Sequence, residues 1–337
     1  MMSDLLQHQS EEFRRQINLR PDDAAQFLDQ LIKATDEVSL RDVFIAWNEK
    51  GIDEDEIYSL ARIMRDRCVR VEPSRATFVD IVGTGGSRQK TFNVSTAAAF
   101  VVAGAGVAVA KHGNKAATSN SGSADVLSEL GIEPAVDAST AARCLDEIGI
   151  CFMFAPNFHR LSPTLAKVRR GLGFPTIFNC IGPLCNPANA PHSLIGVWDA
   201  GLVPKMANAL SRLGADRSWI VHGFGGLDEI SIHGATVVNE IGDGQIRTFE
   251  IQGSGSNGHE VRRVDSAVES AQLVRGVLNA SLAGSAEEAL VVENAAAAIY
   301  IAGGSADLDS GRESALESVR SGNAARKLKE LAEAVKR

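Results

Sequence analysis

The sequence predicts an α/β protein, with a small N-terminal helical domain ahead of a larger domain built on a central, largely parallel sheet flanked by helices. Two changes of texture predict it. Up to about Cys68 the apolar residues fall at helical spacing, as in Phe13 and Ile17 and then Ala25, Phe27, Leu28, Leu31 and Ile32, with Asp22, Asp23 and Ser39 placed as helix starts. After Pro73, short β-branched runs alternate with alanine-rich stretches, the pattern of parallel strands joined by crossover helices.

In chain order, the turn signals Arg20-Pro21, Lys50-Gly51 and Glu72-Pro73 break the helical region, and Pro73 divides a helical domain over residues 1–73 from an α/β domain over 74–337. Strands are expected at 78–82 and 107–110, each followed by a helix, at 95–104 and 124–130. Further strands are expected at 176–179, 194–197 and 218–222, with a helix at 203–213. Residues 237–258, rich in Gly, Asn and Ser, read as strand and loop, and 293–302 and 314–335 read as helices.

A chain of 337 residues with 45% hydrophobic content can bury a sizeable core and suggests about two domains. Lys plus Arg less Asp plus Glu is 34 − 42 = −8, which argues against a general nucleic-acid surface, so an anionic ligand must be held by local cations. The apolar run over 97–109 is interrupted by glycine, ends before Lys111 and falls short of the ~20 residues that span a bilayer, so it reads as a buried helix and strand. With no apolar leader in the first thirty residues, the expected compartment is the cytoplasm. Cys68, Cys144, Cys151, Cys180 and Cys185 form no CxxC pair and are expected to be buried, reduced thiols.

The loop after the first strand, Gly83-Thr84-Gly85-Gly86, is followed by Asn93-Val94-Ser95-Thr96 at a helix start. Glycines let backbone N–H groups approach a ligand closely, and a helix N-terminus offers free N–H groups and a positive dipole end, so this unit suits phosphate. By itself it equally fits a tight turn with an ordinary Ser/Thr cap. The second strand runs into Lys111-His112-Gly113-Asn114-Lys115 and then Thr118-Ser119-Asn120-Ser121-Gly122-Ser123. Loops at the carboxyl ends of adjacent parallel strands converge, so the two make one anion-binding crevice supplied with a cation by Lys111. Asp228-Glu229, being neighbours, face each other poorly as an acid/base pair and suit Mg2+ better, with an exposed acidic turn as the plain alternative.

With both loops on the page, the chain resembles the anthranilate phosphoribosyltransferases of tryptophan biosynthesis, in "GTGG" with "TFNVST", "KHGN", "SGSADVLSELG", "VRRGLGFPTIFNCIGPLCNPA", "LIGVWD", "VHGFGGLDEIS" and "ENAAAAIYIAGG", in order from Asp80 onward. The resemblance implies a dimeric, Mg2+-dependent glycosyltransferase that joins anthranilate to 5-phosphoribosyl 1-diphosphate. In it a helical domain, joined by helices from about 160–185, is hinged to the α/β domain with the site between them. It implies donor contacts from Gly83, Thr84, Gly86, Ser87, Thr91, Asn93, Ser95, Thr96, Lys111 and Ser123. The acceptor falls to Gly83, His112, Asn114, His159, Arg169 and Pro183, and Mg2+ to Ser95, Asp228 and Glu229. Arg169 is then the partner of the anthranilate carboxylate, through a charge-assisted bidentate pair. Two positions depart from the pattern: Ser87 stands where an acidic residue is frequent, and Arg160 where proline is. The nearest enzyme alternative is a related phosphoribosyltransferase or a nucleoside phosphorylase with another acceptor. A noncatalytic nucleic-acid-binding relative is disfavoured by the charge of −8 and by the retained loops.

Overall fold

Trp219 and Val221 pack into one hydrophobic cluster while Ile220, between them, packs into a second. Successive side chains of a strand point to opposite faces, so the sheet divides the molecule into two cores. The computed structural model describes residues 2–87, 89, 91–115, 122–255 and 260–336. Four helices come first: α1 (Met2–Arg14), α2 (Ala24–Lys33), α3 (Glu37–Lys50) and α4 (Glu54–Arg67). They are followed by β1 (Val79–Gly83), α5 (Val94–Gly104), β2 (Val109–Gly113), α6 (Ser123–Glu129), α7 (Ala138–Ile148) and β3 (Ile150–Phe154). Next are the short helices α8 (Ala155–Phe158), α9 (Pro163–Arg170) and α10 (Ile177–Ile181), with a 3-10 turn at Gly182–Leu184. The chain then forms β4 (His192–Gly196), α11 (Leu202–Arg212), β5 (Arg217–His222), β6 (Thr236–Gly242) and β7 (Gln245–Ile251), and ends in α12 (Ala267–Leu278), α13 (Ala286–Ile301), α14 (Leu308–Arg320) and α15 (Asn323–Ala334).

The strands form one sheet in the order β3-β2-β1-β4-β5-β6-β7. The first five are parallel, and β6 and β7 extend the edge as an antiparallel hairpin. Its turn, Asp243-Gly244, holds both residues at positive φ, 51° and 71°, as a two-residue hairpin turn requires. Helix α13 is buried along nearly its whole length, which is why apolar residues fall on every side of it, and its buried Glu287 and Glu293 are paired with Arg262 and Arg312. It packs with α5 and α14 on one face. On the other face, α11 covers β5 and β6 and joins α4, and the N-terminal helices share this second core with Leu165, Val168, Ile177 and Phe178 from α9 and α10.

Four expectations need correction. Residues 176–179 are not a strand: Thr176 starts α10, and its N–H is taken by Asn179 Oδ1 at 3.0 Å, half of a capping box that a β-branched run conceals. The second strand lies further along than 107–110, ending at Gly113. Residues 314–335 are two helices rather than one, divided at Gly322, whose φ of 76° stops an α-helix. Strand β3 was not foreseen, because "ICFMF" is a continuous apolar run, the signature of a strand buried on both faces and equally of a buried helix. The thiols are free, and all but the half-buried Cys68 are buried. No helix among the described residues is long and apolar enough to cross a membrane.

Within the N-terminal helical unit, Glu56 of α4 is a fully buried carboxylate. It accepts hydrogen bonds from Trp47 Nε1 (2.8 Å), Lys50 Nζ (3.0 Å) and the backbone N–H groups of Leu19 (2.9 Å) and Asp53 (3.0 Å). The Lys50 side chain is only 3% exposed and also donates to Asn18 Oδ1 at 2.8 Å, so both buried charges are compensated by polar partners in place of water. Phe13 stacks on Trp47 at a centroid distance of 4.7 Å and closes the cluster. Glu56→Leu, which strands the buried ammonium, is expected to destabilise this unit by about 3–5 kcal/mol. A denaturation midpoint that moves by less than ~1 kcal/mol would show that the network is dispensable.

Candidate active site

The strand order reverses between β1 and β4, whose five residues pair from Val79↔His192 to Gly83↔Gly196, and ligands of open parallel sheets bind at such a switch point. Both strands end in glycine for a steric reason. The segment after β5 crosses above them: a Cβ at Gly83 would lie 2.7 Å from Asp228 Oδ2, and one at Gly196 would overlap the Asp228 carbonyl. Asp228 is thereby lowered onto the glycine loop, where it accepts the Gly85 N–H at 3.0 Å. Gly85 and Gly86 have φ of 66° and 81°, and a side chain at Gly86 would strike Pro175. Thr84 is pinned through its carbonyl, which accepts Asn179 Nδ2 at 2.9 Å, and its N–H, which donates to the Gly196 carbonyl.

Ser87 takes no acidic role here. Its hydroxyl donates to the Gly226 carbonyl at 3.1 Å and receives the Gln89 N–H, tying the loop to the turn before Asp228. Arg88, Lys90 and the polar segment containing Thr118, Ser119, Asn120 and Ser121 lie outside the described residues. Asn93 caps α5 by accepting the Thr96 N–H at 3.1 Å, and this leaves Ser95 facing Lys111, whose Nζ donates to Ser95 Oγ at 3.1 Å and to the Ile81 carbonyl. Thr96 Oγ1 is buried with no partner among the described residues. Ser123 starts α6 and donates to the Asn114 carbonyl at 3.3 Å, directly over Gly113.

Charge is arranged around burial. The Lys111 ammonium is pushed down to about 8 by desolvation, against the opposing pull of Asp80 and Glu229. Withdrawal from water raises Asp228, and raises Glu229 well above the usual carboxylate range, with the Asp228 charge adding to the effect. Thr91 reaches Glu229 Oε2 at only 3.5 Å. Two half-buried carboxylates that repel each other favour a cation between them. Among the described residues no group of three or more His, Cys, Asp or Glu is assembled for a metal, so the pair fits an ion that completes its shell with water and substrate phosphate, as Mg2+ does.

On the other side of β2, His112 and His159 meet edge to face at 5.1 Å. Burial pushes His159 down to about 4, and desolvation together with His159 lowers His112 well below its ordinary value, so both rings are neutral at pH 7. His159 Nε2 bonds the Cys185 carbonyl at 2.9 Å, whereas His112 Nε2 has no partner among the described residues. Pro183 is buried in the 3-10 turn nearby, and Asn114 is exposed at the end of β2. Arg169, on α9, lies over the Phe178 ring at 4.8 Å with Nε 3.3 Å from Thr176 Oγ1, and Asn179, which takes the Thr176 N–H, also holds Thr84. Desolvation lowers Arg169 to about 10, and no carboxylate among the described residues pairs with it, while Arg170 points to solvent. Among the described residues, no side-chain interaction of Arg160 accounts for the departure from proline.

Sequence reading missed Asp80, Asn179 and Asn186. The available signal was Asp80 itself, a carboxylate inside an apolar strand and therefore in need of buried partners. Asn186 is one of them, donating to Asp80 Oδ2 at 2.7 Å.

Residues 75–325 match the glycosyl transferase family, a/b domain. An anthranilate phosphoribosyltransferase of Anaeromyxobacter dehalogenans is 46% identical over 286 residues, 84% of each chain, and one of Natronomonas pharaonis is 44% identical over 86% of this chain and 87% of its own. Among solved structures, the Thermus thermophilus enzyme superposes with a TM-score of 0.84 at 33% identity, over 98% of this chain and 99% of that one. The Saccharomyces cerevisiae enzyme in complex with PRPP and Mg reaches 0.86 at 28% identity, over 99% and 98%. Identity at this level across most of the chain, on a shared fold with the loops intact, makes this chain a member of the anthranilate phosphoribosyltransferase family.

Proposed function

We propose that the chain transfers the 5-phosphoribosyl group of 5-phosphoribosyl 1-diphosphate to the amine of anthranilate and releases diphosphate, the second step from chorismate to tryptophan. The observation that carries this reading is the meeting of the glycine loop, Lys111 and the Asp228–Glu229 pair at one switch point, with Arg169 linked to that loop through Thr176 and Asn179. Gly83, Thr84, Gly86, Ser87, Thr91, Asn93, Ser95, Thr96, Lys111 and Ser123 hold the donor. Gly83, His112, Asn114, His159, Arg169 and Pro183 hold the acceptor. Ser95, Asp228 and Glu229 hold Mg2+, which when bound offsets the negative charge on the departing diphosphate.

The amine of anthranilate is neutral at pH 7, so the work of the protein is positioning and charge stabilisation more than proton removal. Lys111 and the loop N–H groups meet the diphosphate oxygens, and the neutral histidines line a dry acceptor side. We place the helical unit, residues 1–73 with about 160–185, as a domain that closes on the α/β domain to exclude water. The exposed apolar residues Leu5, Val38 and Ile45 of α1 and α3 support a homodimer through that unit. We place the enzyme in the cytoplasm, and no helix among the described residues is long and apolar enough to cross a membrane.

Purified chain given donor, Mg2+ and anthranilate is expected to quench anthranilate fluorescence only when all three are present. Full turnover in excess chelator would remove the metal from the scheme. Asp228→Asn with Glu229→Gln is expected to lower turnover and flatten the Mg2+ response with the fold intact, and an unchanged Mg2+ response would reduce the pair to ordinary surface groups.

Arg169→Ala is expected to weaken acceptor use by roughly ten- to a hundredfold, the loss of one charge-assisted bidentate contact, with donor affinity nearly unchanged. Lysine at that position rescues only in part. Arg170→Ala serves as the control, and if it alone raises the acceptor KM, the assignment of Arg169 fails.

The histidine pair also predicts an acid limit. Because His159 is depressed in the folded state, the unfolded chain binds its proton first, so this contribution is present above the ordinary histidine value of about 6.5 and is lost as pH falls toward about 4. Stability is expected to decline by up to about 1.4 kcal/mol per pH unit per ring in that window. A His159→Gln variant with the same acid slope as the parent would assign the loss elsewhere.

A further inference from the structure

In a parallel pair, a residue donates its N–H to one neighbouring residue and receives on its carbonyl the N–H two residues further along the partner strand. Strands β1 and β4 keep such pairing for five residues each, as do β2 and β3, but between β1 and β2 it stops at Val79↔Val109. The next rung would join Ile81 N–H to the Ala110 carbonyl and His112 N–H to the Ile81 carbonyl. Side chains hold those groups instead. Ala110 accepts Asn186 Nδ2 at 2.9 Å, Ile81 accepts Lys111 Nζ, and His112 donates to Asp80 Oδ1 at 3.1 Å. The Ile81 backbone adds a small favourable influence on the Asp80 carboxylate. Asp80 Oδ2 takes the other amide hydrogen of Asn186 at 2.7 Å, and Asn186 Oδ1 receives the Ala188 N–H at 2.9 Å, so side chains hold both carbonyls and the His112 N–H of the interrupted rung.

We propose that Asp80 and Asn186 are positioning residues, a buried carboxylate–carboxamide wedge that parts β1 from β2 at the ligand-binding edge of the sheet and so sets where Lys111 and His112 stand. This deepens the transferase reading and rests on it. Lys111 and His112 are consecutive on β2 and project to opposite faces, one toward Ser95 and the other toward His159. A change in the separation of β1 and β2 therefore moves the donor-side cation and the acceptor-side ring together, although neither Asp80 nor Asn186 touches a substrate. The wedge is built to hold its place: Asp80 and Asn186 are 0% and 4% exposed. Burial raises Asp80 to about 6, with Lys111, Asn186 and His112 opposing the rise, so the carboxylate that accepts these bonds is the prevailing form at pH 7.

A double-mutant cycle on the full chain tests this. Asp80→Asn turns an N–H onto the N–H of Asn186, and Asn186→Asp sets two carboxylates face to face. Each single change is expected to raise the KM of both the donor and anthranilate by roughly tenfold, the loss of about one hydrogen bond, with a smaller fall in kcat. In the double variant the carboxamide and carboxylate trade places and bond again, losing only the contact to Ala110. Its KM values are expected to lie at least about threefold below the product of the two single effects. Amide exchange at Ile81 and His112, read without substrates, should quicken in the singles and slow again in the double. A single that fails to fold while the double folds also supports the wedge. Unchanged KM values in Asp80→Asn, or effects that simply multiply with no recovery of exchange, would overturn it. A parent chain with slow exchange at these amides that consumes no anthranilate would overturn the transferase reading, and the exchange cycle would then decide the wedge by itself.

Discussion

Everything in the site depends on the close approach of Asp228 to two glycines. The segment after β5 reaches β1 only by crossing the end of β4, and it can cross only because Gly83 and Gly196 present no Cβ. That crossing puts a carboxylate against the N–H of Gly85 and gives the glycine loop a wall on the side facing β5. Ser87 and Gln89 add a clasp from the other direction, through the carbonyls of Gly226, Gly225 and Phe224. The glycine loop and the Asp228–Glu229 pair are thus held against each other by the fold itself, an arrangement of the kind that lowers the cost of binding a charged ligand.

The electrostatic logic follows from the same geometry. A chain with a net charge of −8 repels an anionic donor at long range, so attraction must come from groups close to it. In the proposed site Lys111 would supply this at short range, where the reduced local dielectric strengthens it, and Asp80 and Glu229 offset the cost of burying it. The side proposed for the acceptor is arranged differently. His112 and His159 are kept neutral by burial, leaving Arg169 as the cation there, stacked on Phe178 and bonded to Thr176 without a carboxylate partner among the described residues.

The N-terminal helices serve this arrangement indirectly. Their core, organised around Glu56, also includes α9 and α10, so the elements that carry Arg169, Thr176 and Asn179 are supported from the helical side and reach the glycine loop from there. Arg65 of α4 adds a tie beneath the site, with its Nε on the Leu184 carbonyl at 2.6 Å and Nη1 on Asn189 and Leu213.

Much of this was legible in the sequence, because local chemistry writes local signals. Glycine runs and the alternation of strands and helices register at short separation, and they predicted the parallel sheet and the glycine loop, whereas Lys111, expected in a loop after the second strand, lies inside β2. What the sequence could not determine were relations across the fold. "TIFN" has the composition of a strand and became a helix because Asn179 caps Thr176 and reaches Thr84, a contact spanning 95 positions. "ICFMF" became a strand because β2 offered it an edge. The roles of Asp80 and Asn186 appear only once β1, β2 and the segment after α10 are assembled, since a buried carboxylate shows its purpose through partners 32 and 106 residues away. Periodicity reports which face of an element is buried, but only the tertiary structure decides what is buried against it, because hydrogen bonds and close approaches form between neighbours in space whatever their distance along the chain.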